Sequence, residues 1–106
     1  METYSAKRVA IIIEQVMQSR LLDALDSAGV KGYSVLPVLG GSGRSGQWLR
    51  DGQITRGTGM VQVICVVRPE QLEALQDAAF AHIEHHMGIV TISDVEVLRS
   101  ARKSST

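Results

Sequence analysis

Between Gly40 and Gly59 the chain reads Gly40-Gly41-Ser42-Gly43-Arg44-Ser45-Gly46-Gln47-Trp48-Leu49-Arg50-Asp51-Gly52-Gln53-Ile54-Thr55-Arg56-Gly57-Thr58-Gly59. Seven glycines and the three arginines Arg44, Arg50 and Arg56 face a single acid, Asp51. Glycines let successive backbone N–H groups turn inward, and the guanidinium groups add positive charge, so the chemistry on offer is anion binding. Gly41, Gly43 and Gly46 have the spacing Gly-x-Gly-x-x-Gly, but no evident helix follows and no Walker lysine occurs, so a Rossmann or P-loop site is disfavoured. The stretch reads as a long loop, neither helix nor strand. Loops of that length inside a small domain are usually functional or disordered. Trp48, the one tryptophan, suits a partner contact or a fold-back onto its own domain.

The other reactive side chains have plainer readings. His82 and His86 are four apart and could share a metal, with His85 beside them, but no further ligand cluster completes the set. Histidines near a helix end more commonly meet its last carbonyls. Asp94 and Glu96 alternate on one strand face and are expected to meet solvent or an arginine. Cys65 lies inside Val61-Gln62-Val63-Ile64-Cys65-Val66-Val67 and is read as a small buried hydrophobe. No Ser-His-Asp, Cys-His or paired-carboxylate arrangement can be read from spacing, so an enzyme is not expected.

These residues need a scaffold, and 106 residues supply one domain. A 44% hydrophobic share opposes disorder, and zero formal charge gives no support to a general nucleic-acid or membrane-surface role. No signal peptide is read at the N-terminus, and the expected compartment is the cytoplasm. Strands are predicted at Lys7–Ile13, Tyr33–Leu39, Met60–Val67 and Ile89–Val97, with Pro37 marking an edge or bulge. One helix places Val16, Met17, Leu21, Leu25 and Ala28 on a face and ends at Gly29. A second starts at Arg68-Pro69-Glu70, with Leu72, Leu75, Ala79 and Ile83 as its stripe. Residues 100–106 read as a mobile tail.

Strand, helix, strand, loop, strand, helix, strand is the α+β, ferredoxin-like βαββαβ pattern: a four-stranded antiparallel sheet with both helices on one face. Val61, Val63, Cys65 and Val67 point one way, and Met60, Ile64 and Val66 the other; Val9, Ile11 and Ile13 oppose Ala10 and Ile12. Both faces are apolar and the helices cover one. The second needs another copy of the chain, so a homo-oligomer is expected.

The run Lys31-Gly32-Tyr33-Ser34-Val35-Leu36-Pro37-Val38-Leu39-Gly40-Gly41-Ser42-Gly43-Arg44 resembles the PII signal-transduction superfamily, in which a short strand leads into a glycine-rich T-loop. Val66-Val67-Arg68-Pro69-Glu70 and the strand from Met87 to Arg99 extend the likeness over most of the chain. Gly32-Tyr33-Ser34-Val35 and Gly40 to Arg44 look most like the PII-like proteins linked to inorganic carbon, those associated with carboxysomes or with bicarbonate transporters. The resemblance implies a single domain over 1–106, with a T-loop at 41–59, and a homotrimer binding adenine nucleotide, ADP or AMP, in clefts between subunits. By position it implies nucleotide contacts from Ser34, Gly40, Gly41, Gly43, Arg44, Val66, Gly88, Ile89, Arg99 and Arg102. Gly41, Gly43 and Arg44 would form a nest for bicarbonate. The protein would be a non-enzymatic sensor with no covalent cofactor, acting on a protein target such as a bicarbonate transporter or carboxysome component. Two departures stand out: His86-Met87-Gly88-Ile89 replaces the Gly-x-Gly-Lys B-loop of nitrogen-sensing members, and the loop lacks their modified tyrosine. The alternatives are a trimeric metal-binding protein of the cation-tolerance type, using His82 and His86, and a purely structural assembly domain.

Overall fold

A computed structural model of the chain describes residues 2–43, 46–49, 59–83 and 88–99. β1 (Thr3–Glu14) runs through a short 3-10 turn into α1 (Gln18–Ser27), followed by β2 (Ser34–Val38), β3 (Gly40–Gly43) and β4 (Gly46–Leu49). β5 (Met60–Val67) then leads through a second 3-10 turn into α2 (Leu72–Ile83) and β6 (Gly88–Leu98). The main sheet has the order β2-β5-β1-β6, with every neighbouring pair antiparallel. This is the βαββαβ arrangement expected from the sequence.

Two departures have clear causes. β1 is longer than Lys7–Ile13, because Thr3 to Ala6 pair with Leu98 to Val95 as a two-stranded ribbon beyond the end of β5. The glycine stretch, expected to be neither helix nor strand, opens as a hairpin: Gly40 pairs with Leu49, Gly41 with Trp48, and Gly43 with Gly46. Arg44, Ser45 and residues 50–58 lie outside the described residues, as do 84–87 and 100–106.

Register fixes the two faces. Val9, Ile11 and Ile13 lie opposite Cys65, Val63 and Val61 and are fully buried beneath the helices. Met17, Leu21, Leu25, Leu75 and Ala79 complete the core. Val16 does not join it: it falls in the 3-10 turn ahead of α1 and is 70% exposed, because the tighter turn breaks the assumed helical period. Cys65 is buried, and burial pushes its thiol pKa up, since the thiolate loses its hydration there.

α1 ends as the sequence indicates. Gly29 takes φ +90°, its N–H donates to the Asp26 carbonyl at 3.0 Å, and the Val30 N–H reaches the Leu25 carbonyl at 2.9 Å. Apart from Gly29 itself and its chain neighbours, no atom lies within 4 Å of the position a Cβ would take there, so backbone conformation rather than space selects glycine. The approach to α2 is closed by Gln71, whose N–H donates to the Arg68 carbonyl at 2.9 Å while its Oε1 accepts from the Arg68 N–H at 3.0 Å. Gln71 Nε2 also donates to the Gly29 carbonyl at 3.4 Å, tying the two crossovers together.

Candidate functional site

The face away from the helices carries Leu36 and Val38 from β2, Ile64 and Val66 from β5, Ala10 and Ile12 from β1, and Ile89, Val95 and Val97 from β6. Leu36, Val66 and Ile89 are among the exposed large hydrophobic residues. The expected nucleotide contacts are distributed around this open face.

Ser34 begins β2 opposite Ile64, and the β2–β5 ladder ends there. Beyond Ile64, no strand among the described residues lies against the β2 side of β5, so the edge at Val66 is open. Ser34 and Val66 share a face as diagonal neighbours, within side-chain reach of each other. At the other end of β2, Val38 pairs with Met60, and the hairpin of Gly40, Gly41 and Gly43 starts two residues on. Four residues of β5 separate the Ile64 and Met60 positions, about 13 Å of extended chain. The β2 edge thus runs from Ser34 and Val66 towards the glycine hairpin.

Gly88 and Ile89 pair with Ile13 and Ile12 on β6, the opposite edge strand. They stand level with Pro37 and Leu36 but three strand spacings away, about 14 Å. Arg99 follows Leu98 at the far end of the ribbon, about 33 Å of extended β6 from Gly88. Its N–H donates to the Glu2 carbonyl at 2.8 Å, and its guanidinium lies 5.4 Å from the centre of the Tyr4 ring. Within one chain, then, the structure brings together Ser34 with Val66, and Gly40 with Gly41 and Gly43, but neither Gly88, Ile89 nor Arg99 joins them. Arg44 and Arg102 lie outside the described residues, so the bicarbonate nest is described only in its glycines.

Other expected residues take structural parts. Asp94 meets Lys7 in an ion pair, not solvent alone or an arginine, because register sets them side by side on the helix side of the sheet. Glu96 accepts from Thr3 Oγ1 at 2.8 Å. His82 Nδ1 donates to the Ala78 carbonyl at 3.0 Å, one helical turn back; His85 and His86 lie outside the described residues. Among the described residues no group of three or more His, Cys, Asp and Glu could hold a metal ion. A groove of about 430 Å³, lined by Ser5, Lys7, Pro69, Asp94 and Glu96, contains none of the expected nucleotide residues. Among the described residues no helix is long and apolar enough to cross a membrane. Arg8, on the open face opposite Val66 and Ser93, went unremarked in the sequence. Counting alternate positions back from Ala10 and Ile12 finds it.

The model of the nitrogen regulatory protein P-II family matches residues 6–102. The chain belongs to the P-II family. PII-like proteins are trimers that bind adenine nucleotides, and they are regulators rather than enzymes. The chain is similar to CPII, a nitrogen regulatory PII-like protein from Thiomonas intermedia K12, in a structure bound to ADP, AMP and bicarbonate. Identity is 30%, 92% of each chain is covered, and the TM-score is 0.82. CPII bound to ADP and bicarbonate gives 31% identity over 92% of this chain and 93% of the other, at a TM-score of 0.78. A PII-like signalling protein from Thermus thermophilus shares the fold at 23% identity, 92% and 94% coverage and a TM-score of 0.72. No protein with a curated description matches the chain.

Proposed function

We propose that this P-II family member is a non-enzymatic cytoplasmic sensor that binds ADP or AMP between subunits of a homotrimer, with bicarbonate as a second ligand. The observation that carries the reading is the division of the candidate residues between two edges of one open face. Ser34, Val66 and the glycine hairpin flank the β2 edge, whereas Gly88 and Ile89 lie on the β6 edge. A cleft between the β2 edge of one copy and the β6 edge of the next would reunite them, while covering the apolar face. The base would sit at Ser34 and the Val66 backbone, with phosphates directed towards Gly40, Gly41, Gly43 and Arg44. Arg99 and Arg102 would serve the site of another copy.

The sequence at 86–89 supplies no lysine for distal phosphates. Fewer cations favour a mono- or diphosphate over a triphosphate. Bicarbonate would take the backbone N–H groups of Gly41 and Gly43 together with the Arg44 guanidinium. Ligand contacts at the hairpin base would then set the order of the glycine-rich T-loop and so its contact with a protein target of inorganic-carbon handling. The similarity to CPII bound to ADP, AMP and bicarbonate supports this ligand set.

Calorimetry with ATP, ADP, AMP and cyclic AMP, each with and without bicarbonate, tests the proposal. ADP or AMP should bind at least as tightly as ATP. Arg44→Ala should weaken both ligands, by about 1.5–3 kcal/mol for a charge-assisted hydrogen bond. Selective ATP binding, or no effect of bicarbonate, would overturn the corresponding part.

A further inference from the structure

Arg8 occupies an unusual place on the open face. It lies on β1, a central strand, with Val66 directly beside it on β5 and Ser93 on β6. Its neighbours along β1 on the same face are Ala6 and Ala10, both buried and too short to reach a guanidinium. Thr91 lies diagonally across, opposite Ala10. Arg8 is half-buried, and among the described residues its side chain has no hydrogen-bond or ion-pair partner; neither do the Ser93 and Thr91 hydroxyls. The described carboxylate on this face of β1, Glu14, stands six residues up the strand from Arg8, about 20 Å away, and Glu2, just before the strand, lies six residues from Arg8 in the other direction.

We propose that Arg8, with Ser93 and Thr91, forms an oxyanion site that is completed when copies of the chain cover this face. The proposal rests on assembly through the open face, and adds to it a ligand that the nucleotide cleft does not use. A guanidinium on a central strand is desolvated when that face is covered, and an unpaired buried cation costs several kcal/mol. Symmetry adds to the cost, since each copy contributes the same charge. A small oxyanion resolves both problems: it accepts the forked N–H groups of arginine and the hydroxyl protons of Ser93 and Thr91. The glycine hairpin lies beyond Val38 and Met60, six residues of β5 from Val66, so this site is separate from the bicarbonate nest.

Sulfate and inorganic phosphate, at millimolar concentration and matched to chloride in ionic strength, are the probes, used on nucleotide-free protein. Thermal melting and light scattering are read together for wild type, Arg8→Met and Arg8→Lys. In wild type, sulfate and phosphate should raise the melting midpoint by about 5 °C over chloride, as expected for a ligand well above its Kd. Arg8→Met should lose that increment, and Arg8→Lys should retain part of it. Equal responses in all three proteins would reduce the effect to general salt exclusion and overturn the site. A wild-type advantage over Arg8→Met of the same size in every salt would overturn it too, by assigning the acceptor to a protein group of the covering copy. A wild-type monomer in chloride and sulfate alike would instead remove the assembly itself. If Arg8→Met fails to fold, Ser93→Ala with a direct sulfate titration replaces it, and unchanged sulfate affinity there would count against the site.

Discussion

Ser34 and Ile89 lie on the same face of one sheet but on its two opposite edge strands, β2 and β6. Three strand spacings, about 14 Å, separate those two strands within a single chain. On the proposed reading, in which both residues serve one nucleotide, binding requires assembly.

Ile12 sits between Gln62 and Ile89 at the middle of the open face. Ile12→Lys places a charge where a second copy would desolvate it. Its outward position leaves the helix-side core untouched, so the variant should fold, scatter light as a monomer and give no binding heat with ADP. A monomer that binds ADP normally would contradict the intersubunit cleft.

Cys65 should be nearly inert to thiol reagents in the folded protein and react freely once unfolded, because burial raises its pKa and blocks access. The sign for stability follows. Above the unfolded thiol's pKa of about 8.5, the unfolded chain releases a proton that the folded chain retains, so stability falls as pH rises through that region. Cys65→Val should remove this alkaline component from the pH dependence of denaturant midpoints. An identical alkaline slope in the variant would assign the loss to other groups.

Leu75 is the large, fully buried side chain by which α2, together with Ala79, reaches the core. Leu75→Ala should cost about 2–5 kcal/mol in chemical denaturation, by lost transfer energy plus the cavity left behind. A cost below about 1 kcal/mol would mean that α2 closes over the gap.

Asp94 offers the opposite case. Its ion pair with Lys7 is water-accessible, with the Asp94 side chain 85% exposed. Asp94→Asn should change stability by no more than about 1 kcal/mol, and about 1 M salt should shrink even that. A larger, salt-insensitive loss would indicate a role in assembly.

The alternation of Val9, Ile11 and Ile13 against Ala10 and Ile12, and the Gly29 and Pro69 boundaries, were legible because strand period and turn chemistry are local properties. The two-sided apolar sheet was legible for the same reason. The hairpin at Gly40–Leu49 was not, since glycine has no side chain with which to display a strand period. The ribbon from Thr3 to Ala6 was hidden as well: its pairing partners, Val95 to Leu98, lie some ninety residues away. For the site, glycine strings and Ser34 could be placed by their order in the chain. That they divide between two edges depends on strand order, which no local pattern records.

The Arg99 N–H donates to the Glu2 carbonyl, so the outermost described residues at both ends of the chain leave the domain side by side. The fold is therefore close to a closed loop in its connectivity. A short flexible linker could join these ends directly, and a new opening could be made at the exposed Lys31–Gly32 connection without cutting a strand or helix. Such a rearranged chain would carry its free ends beside α1's C-terminus, leaving the ribbon end free for fusion of a reporter between the old termini.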